Sequence, residues 1–278
     1  MKTAMIRTTA AAGTLAAMSL VSMNTALAQD PWSFSANIGA VSNYIWRGVT
    51  QTGDQAAIQG GLDVAHESGF YAGTWASNID WDDGAQDVST DVTGIVPMDP
   101  DTGMPLMDED GNYVVVGTGE GSTAGDPSPN YELDFYAGYG FAVNDDLSFD
   151  VSTIYYAYPD GRDVDFWEIG ASGTYKWFTA GLAYTAWGEA DDDAPFSEGD
   201  LYYYGSIDVG LPYDFGLSLR GGYYDFDTKD GGVDYGHGGV TISKEAGDFG
   251  TFSFNYDQVG RETYDDDPKI WVGWLKEF

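Results

Sequence analysis

The last ten residues constrain the fold more than any other stretch. In 269–278, Ile270, Val272, Trp274 and Phe278 fall on one face and Lys269, Gly273 and Glu277 on the other. A period of two is the strand period. Ten residues is also the length a tilted strand needs to cross a bilayer. Lys276 interrupts the apolar face, but near the end of a strand its ammonium can reach the headgroups. Alternation alone also suits the last strand of a soluble β-sandwich.

The same period recurs upstream. Tyr131, Leu133, Phe135, Ala137, Tyr139, Phe141 and Val143 oppose Glu132, Asp134, Tyr136, Gly138, Gly140 and Ala142. Phe252, Phe254 and Tyr256 oppose Thr251, Ser253, Asn255 and Asp257. Twelve strands are expected, at 33–47, 55–66, 69–80, 130–143, 146–158, 164–175, 176–188, 200–211, 214–226, 235–245, 249–259 and 269–278. No helical period persists.

The connections separate barrel from sandwich. Those at 66–69, 144–145, 175–176, 211–214 and 245–248 are tight. Those at 48–54, 81–129, 159–163, 189–199, 227–234 and 260–268 are mostly longer, and acidic. Short turns at one rim and long loops at the other are the arrangement of outer-membrane barrels. The fold expected is all-β, a transmembrane up-and-down antiparallel barrel.

Residues 1–28 read as a secretory signal: Lys2 and Arg7, then an apolar stretch, then Ala26-Leu-Ala28 as a small-x-small cleavage site. Residues 29–278 would form the barrel, with 81–129 as a long extracellular loop. The location expected is the outer membrane of a Gram-negative bacterium. The chain has no cysteine, so its stability cannot rest on disulfides. Its 20 Tyr, 14 Phe and 9 Trp would supply two interfacial aromatic girdles. The net charge of −34 disfavours nucleic acid as a partner. Lipid and lipopolysaccharide, the barrel-insertion machinery, and small solutes or cations are the partners expected.

One segment, Ser42-Asn-Tyr-Ile-Trp-Arg-Gly-Val-Thr-Gln-Thr52, ends the first predicted strand. Continued alternation would put Tyr44 and Trp46 at the upper lipid girdle and Arg47 in the lumen, among carboxylates. This segment, with Gln59-Gly-Gly-Leu-Asp-Val64, the stretch 69–80 and Glu132-Leu-Asp-Phe-Tyr-Ala-Gly-Tyr139, resembles the TorF family of outer-membrane porins. The resemblance implies an outer-membrane barrel and a channel of unknown substrate. It supplies no catalytic residues. The terminal Phe278 likewise resembles the closing strand of bacterial outer-membrane barrels, where that end acts as the assembly signal.

The 49-residue connection 81–129 carries eleven acids and no base. Asp99, Asp101, Asp108 and Asp110 are candidate ligands for a hard cation such as Ca2+ within 99–112. The EF-hand spacing fails, because Tyr113 or Met104 stands where the turn glycine belongs. Asp110-Gly111-Asn112 before Tyr113-Val-Val-Val116 reads more plainly as a turn in a surface loop. No cofactor is expected otherwise.

Catalysis is not expected. The two histidines, His66 and His237, fall at opposite rims, and no nucleophile elbow, phosphate loop or zinc spacing is present. The polar strand faces put Arg47, Asp63, Glu132, Asp134, Asp150, Glu168, Asp208, Arg220 and Asp257 toward the interior as candidate pore-lining residues. The expected function is a passive diffusion channel with a cation preference. The alternative is a non-conducting barrel whose acidic loops bind a partner or divalent cations.

Overall fold

The computed structural model describes residues 31–81, 94–95, 116–117, 128–190, 194–228, 234–260 and 266–278. The expected signal at 1–28 and the candidate cation ligands Asp99, Asp101, Asp108 and Asp110 lie outside the described residues. The chain divides into two units, one of 1–81 with 128–278 and one of 82–127.

The first unit contains β1 (Trp32–Val41), β2 (Ile45–Trp46), β3 (Val49–Thr50), β4 (Ala57–His66) and β5 (Phe70–Asn78). In the second unit, β6 (Gly94–Ile95) pairs with β7 (Val116–Gly117). The first unit resumes with β8 (Tyr131–Asn144), β9 (Leu147–Ala157), β10 (Phe166–Tyr175), β11 (Phe178–Gly188) and β12 (Leu201–Leu211). It ends with β13 (Phe215–Asp225), β14 (Tyr235–Glu245), β15 (Thr251–Val259) and β16 (Lys269–Glu277).

Twelve of these strands close into one antiparallel barrel, each beside its neighbour in sequence, with β1 paired to both β4 and β16. Closure matters physically because lipid offers no partner to an unpaired N–H or C=O. The seam is completed past the last strand: Phe278 N–H donates to Ala36 O at 2.9 Å, and Ala36 N–H to Phe278 O at 3.3 Å.

The outer face is apolar along every strand. Phe34, Ile58, Leu62, Phe135, Phe254, Ile270 and Val272 are all exposed. A barrel with so large a bare apolar surface needs lipid around it. Lys276 does not break the belt. Its ammonium turns back to Asp248 O at 2.5 Å, at the short-turn rim.

Inside, tyrosine lies across glycine on the neighbouring strand. Tyr71 on β5 faces Gly138 on β8, and Tyr136 on β8 faces Gly73 on β5. A Cβ on Gly73 would lie 2.5 Å from the Tyr136 ring, so only glycine leaves room for it. Each phenol then reaches one strand further. Tyr71 OH donates to Asp150 on β9 at 3.0 Å, and Tyr136 OH donates to Asp63 on β4.

The first predicted strand overruns. It ends at Val41 rather than at residue 47, and the chain turns into the lumen. Tyr44 and Trp46 are therefore not girdle residues; they are buried inside, at 6% and 7% exposure. The turn itself gives the reason. Arg47 and Gly48 both have positive φ, 47° and 89°, and join β2 to β3. Two such residues are what a type I′ hairpin requires, and that tight reversal stops the strand running on.

Deleting Phe278 removes the two seam hydrogen bonds and the last outward aromatic. The yield of folded, heat-modifiable barrel should fall several-fold, with unassembled chain accumulating. Gel migration with and without boiling, on fractionated membranes, measures it.

Candidate functional site

The site is built around the 42–56 hairpin. Its polar side chains tie it to itself and to the wall. Asn43 Nδ2 donates to Asp54 at 2.7 Å, and Thr50 Oγ1 donates to Asn43 Oδ1 at 2.7 Å. Thr52 Oγ1 donates to Gln55 O at 2.6 Å, and Tyr44 N–H donates to Thr52 Oγ1 at 3.2 Å. Lys269 on β16 bonds Asp54 at 2.6 Å, and Trp81 Nε1 donates to Gln51 at 2.9 Å. At the tip, a Cβ on Gly48 would sit 2.6 Å from the Cβ of His237 on β14. The turn touches the barrel wall with no room for a side chain.

Arg47 at the tip reaches β10. Its Nη1 donates to Glu168 Oε1 at 2.8 Å and its Nη2 to Glu168 Oε2 at 2.5 Å. Both side chains are buried. Tyr156 and Tyr224 hydroxyls donate to the same carboxylate at 3.2 and 3.4 Å. The guanidinium lies 4.2 Å from the Trp46 ring centre, 4.0 Å from Tyr202 and 5.0 Å from Tyr224. A buried ion pair is tolerated only when its remaining hydrogen-bonding capacity is met. Here the two phenols complete the carboxylate, and the ring faces attract the cation. Next to Glu168 the register between β10 and β11 shifts, and Ala186 is the extra residue. A bulge commonly re-aims a side chain in this way.

Around this pair the long-loop half of the lumen is an aromatic core. Trp46 packs on Tyr156, Phe166 and Phe196 with ring centres 5.7, 6.2 and 5.7 Å apart. Tyr224 stacks on Phe226 at 4.1 Å, and Tyr202 OH pairs with His237 Nε2 at 2.8 Å. Phe196 comes from the 194–200 connection, held by Asp200. The Asp200 carboxylate accepts the N–H groups of Phe196 at 2.7 Å and Asp227 at 2.8 Å. Burial nevertheless pushes the Asp200 carboxyl up to about 6.

The remaining candidates are distributed as follows. Arg220 bonds Asp257 at 2.6 Å and Thr241 at 2.6 Å, and Trp271 Nε1 donates to Asp257 at 2.8 Å. Glu132 and Asp134 lie side by side on β8, fully buried at the long-loop end. Tyr44 OH is 3.5 Å from Glu132, and the Asp134 carboxyl has no partner besides the neighbouring Glu132 carboxyl. Asp63 and Asp150 are half-buried, held by the crossing tyrosines. Asp208, toward the short-turn rim, is exposed and accepts from Ser206 at 2.7 Å. Below Arg47 a cavity of about 70 Å³ is lined by Tyr136, Ser152, Glu168, Tyr202 and Tyr204. That is room for a few waters. The lumen is therefore a cup, filled with aromatic rings at the long-loop end and polar toward the short turns.

The sequence carried a signal for the aromatic core in the aromatics that alternation leaves on inward faces. Tyr155-Tyr156, Tyr202-Tyr203-Tyr204 and Tyr223-Tyr224 put aromatics on both faces at the long-loop ends of β9, β12 and β13. Tyr203 and Tyr223 are exposed on the outer face, while Tyr156, Tyr202 and Tyr224 are buried in the core.

A closed twelve-stranded antiparallel barrel with an apolar exterior is the fold of small outer-membrane porins. Among solved structures, the KdgM porin matches with a TM-score of 0.50 at 11% identity, over 88% of this chain and 99% of that one. The NanC porin in its rhombohedral crystal form gives 0.47 at 10% identity, over 87% and 98%. No curated protein matches. The chain belongs to the family described as "Bacterial protein of unknown function (Gcw_chp)", whose model matches residues 25–263.

Replacing Glu168 by Gln leaves the Arg47 guanidinium buried without a counter-charge. Loss of one partner of a buried pair costs about 3–5 kcal/mol. Glu168→Gln should lower urea resistance in micelles by that order, and Arg47→Met with Glu168→Gln should regain most of it. Urea titrations followed by gel migration compare the three proteins.

Asp200 makes a pH prediction. Its carboxyl is raised on folding, so its contribution is complete below the ordinary carboxyl range, about 4. That contribution is lost as pH rises through about 6. Lowering the pH from 7 to 5 should therefore tighten the 194–200 connection. Asp200→Asn should abolish the change, read as the pH dependence of hydrogen-exchange protection, relative to the unfolded chain at the same pH, at the N–H groups of Phe196 and Asp227.

Proposed function

We propose that the chain is a passive outer-membrane channel for small cationic solutes, held closed in this conformation by its 42–56 hairpin. One observation carries the charge preference. Arg47, Arg220 and Lys269 are each matched by an acid, namely Glu168, Asp257 and Asp54. Asp63, Asp150 and Asp208 also lie on inward strand positions, half-buried or exposed, and form no ion pair among the described residues. Acidic rings favour cations in a pore, and an acidic lumen concentrates them. The resemblance of 42–52 to the TorF porins supports the channel class.

A second reading is a barrel that does not conduct, whose acidic loops bind a partner or divalent cations. The aromatic core favours it, because rings from the wall and from the hairpin fill the long-loop half. Conductance of the purified protein in planar bilayers decides between them. A complete lack of current from both the intact chain and one with 43–55 replaced by a short Gly/Ser linker would favour the closed barrel.

If current flows, reversal potentials under a salt gradient should report cation selectivity that shrinks as salt rises and screens the wall. Neutralising Asp63, Asp150 and Asp208 to Asn should cut that selectivity more than neutralising Asp82, Asp83 and Asp87. Anion selectivity in the unmodified protein would remove the proposal.

A further inference from the structure

Arg47 occupies its surroundings as a ligand occupies a receptor. The wall alone supplies a carboxylate at Glu168, two phenols that donate to it from Tyr156 and Tyr224, and ring faces from Tyr202 and Tyr224. These come from β9, β10, β12 and β13, which belong to the barrel whether or not the hairpin is seated. A carboxylate that receives a planar fork on two oxygens, beneath aromatic faces, has the geometry for guanidinium rather than for a compact ammonium. Recognition of cations by aromatic cages rests on the same ring quadrupoles. A cavity of about 70 Å³, lined by Glu168, Tyr202 and Tyr204, adjoins that cage beside Arg47.

We propose that Glu168, Tyr156, Tyr202 and Tyr224 form a binding site for guanidinium-bearing solutes. Arg47 fills that site as a built-in competitor. A guanidinium solute that takes the Glu168 carboxylate releases the hairpin tip, so the solute favours the open lumen. The binding part stands on the cage alone. The opening part rests on the channel reading.

Competition sets the expected affinities. The hairpin presents Arg47 at high effective concentration, so an external guanidinium sees only the small fraction of vacant cages. Without a replacement cation, vacating a buried pair is disfavoured by roughly two to four orders of magnitude. Wild-type protein should therefore bind weakly, and removal of the Arg47 side chain should unmask the site.

The test uses full-length barrel in detergent micelles, with methylguanidinium and methylammonium as probes. By calorimetry, Arg47→Ala should bind methylguanidinium at least about tenfold more tightly than wild type. It should prefer methylguanidinium to methylammonium, and Arg47→Ala with Glu168→Gln should lose the binding. Should Arg47→Ala fold poorly, its refolding yield with each probe replaces calorimetry, and rescue by methylguanidinium but not methylammonium is expected. Equal response to both probes, or binding unchanged by Glu168→Gln, overturns the site. In planar bilayers, methylguanidinium should raise wild-type conductance more than equal methylammonium. Binding without any current would refute the opening step and the channel reading while leaving the cage standing.

Discussion

The requirement that every backbone group in lipid find a partner within the protein governs this molecule. It forces the strands into a closed ring, and the ring creates an interior that must then be filled or wetted. The long-loop half is filled. A short segment between β1 and β4 turns inward and carries a charge with it, and that charge dictates the neighbours. Glu168 meets the guanidinium, phenols meet the carboxylate, and rings close over both. Remove the charge and the aromatic core loses its organising centre. Remove the ring closure and there is no core to organise.

The two halves of the lumen follow different chemistry although they share the same strands. Toward the long loops, inward positions hold Tyr156, Phe166, Tyr202, Tyr224 and Trp271, all buried. Toward the short turns they hold Ser148, Thr174, Thr179, Ser206 and Asp208, which keep contact with solvent. Arg220, Asp257, Thr241 and Asn255 form a connected polar chain between the two regimes. Its groups satisfy one another, which is what allows polar atoms to lie that close to the aromatic layer.

Much of the architecture was legible because lipid on one side and a polar lumen on the other impose a strict period of two. Strand count, direction and the alternation of short and long connections all follow from it. What escaped was the place where the period breaks. Asn43, Tyr44, Ile45, Trp46 and Arg47 continue to alternate on paper, so they read as more strand. Only Gly48 marked the reversal, and a lone glycine in a barrel strand is unremarkable. The facing of Tyr44 and Trp46 inverted for this reason. The partnership of Arg47 with Glu168 spans 121 positions and depends on how far the hairpin reaches, which no local pattern encodes. The inward facing of Tyr136 followed from the alternation; what the alternation did not show was that inward rings from several strands pack into one core.

The crossing tyrosines have a consequence for how the wall can vary. Tyr71 needs Gly138 beneath it and Asp150 beyond it, while Tyr136 needs Gly73 and Asp63. Six positions on four adjacent strands therefore form two interlocked triplets. A methyl group at either glycine evicts a ring, and an evicted ring strands a carboxylate. A change at one member makes sense only with matching changes at the other two, so substitutions here should be inherited as sets rather than singly.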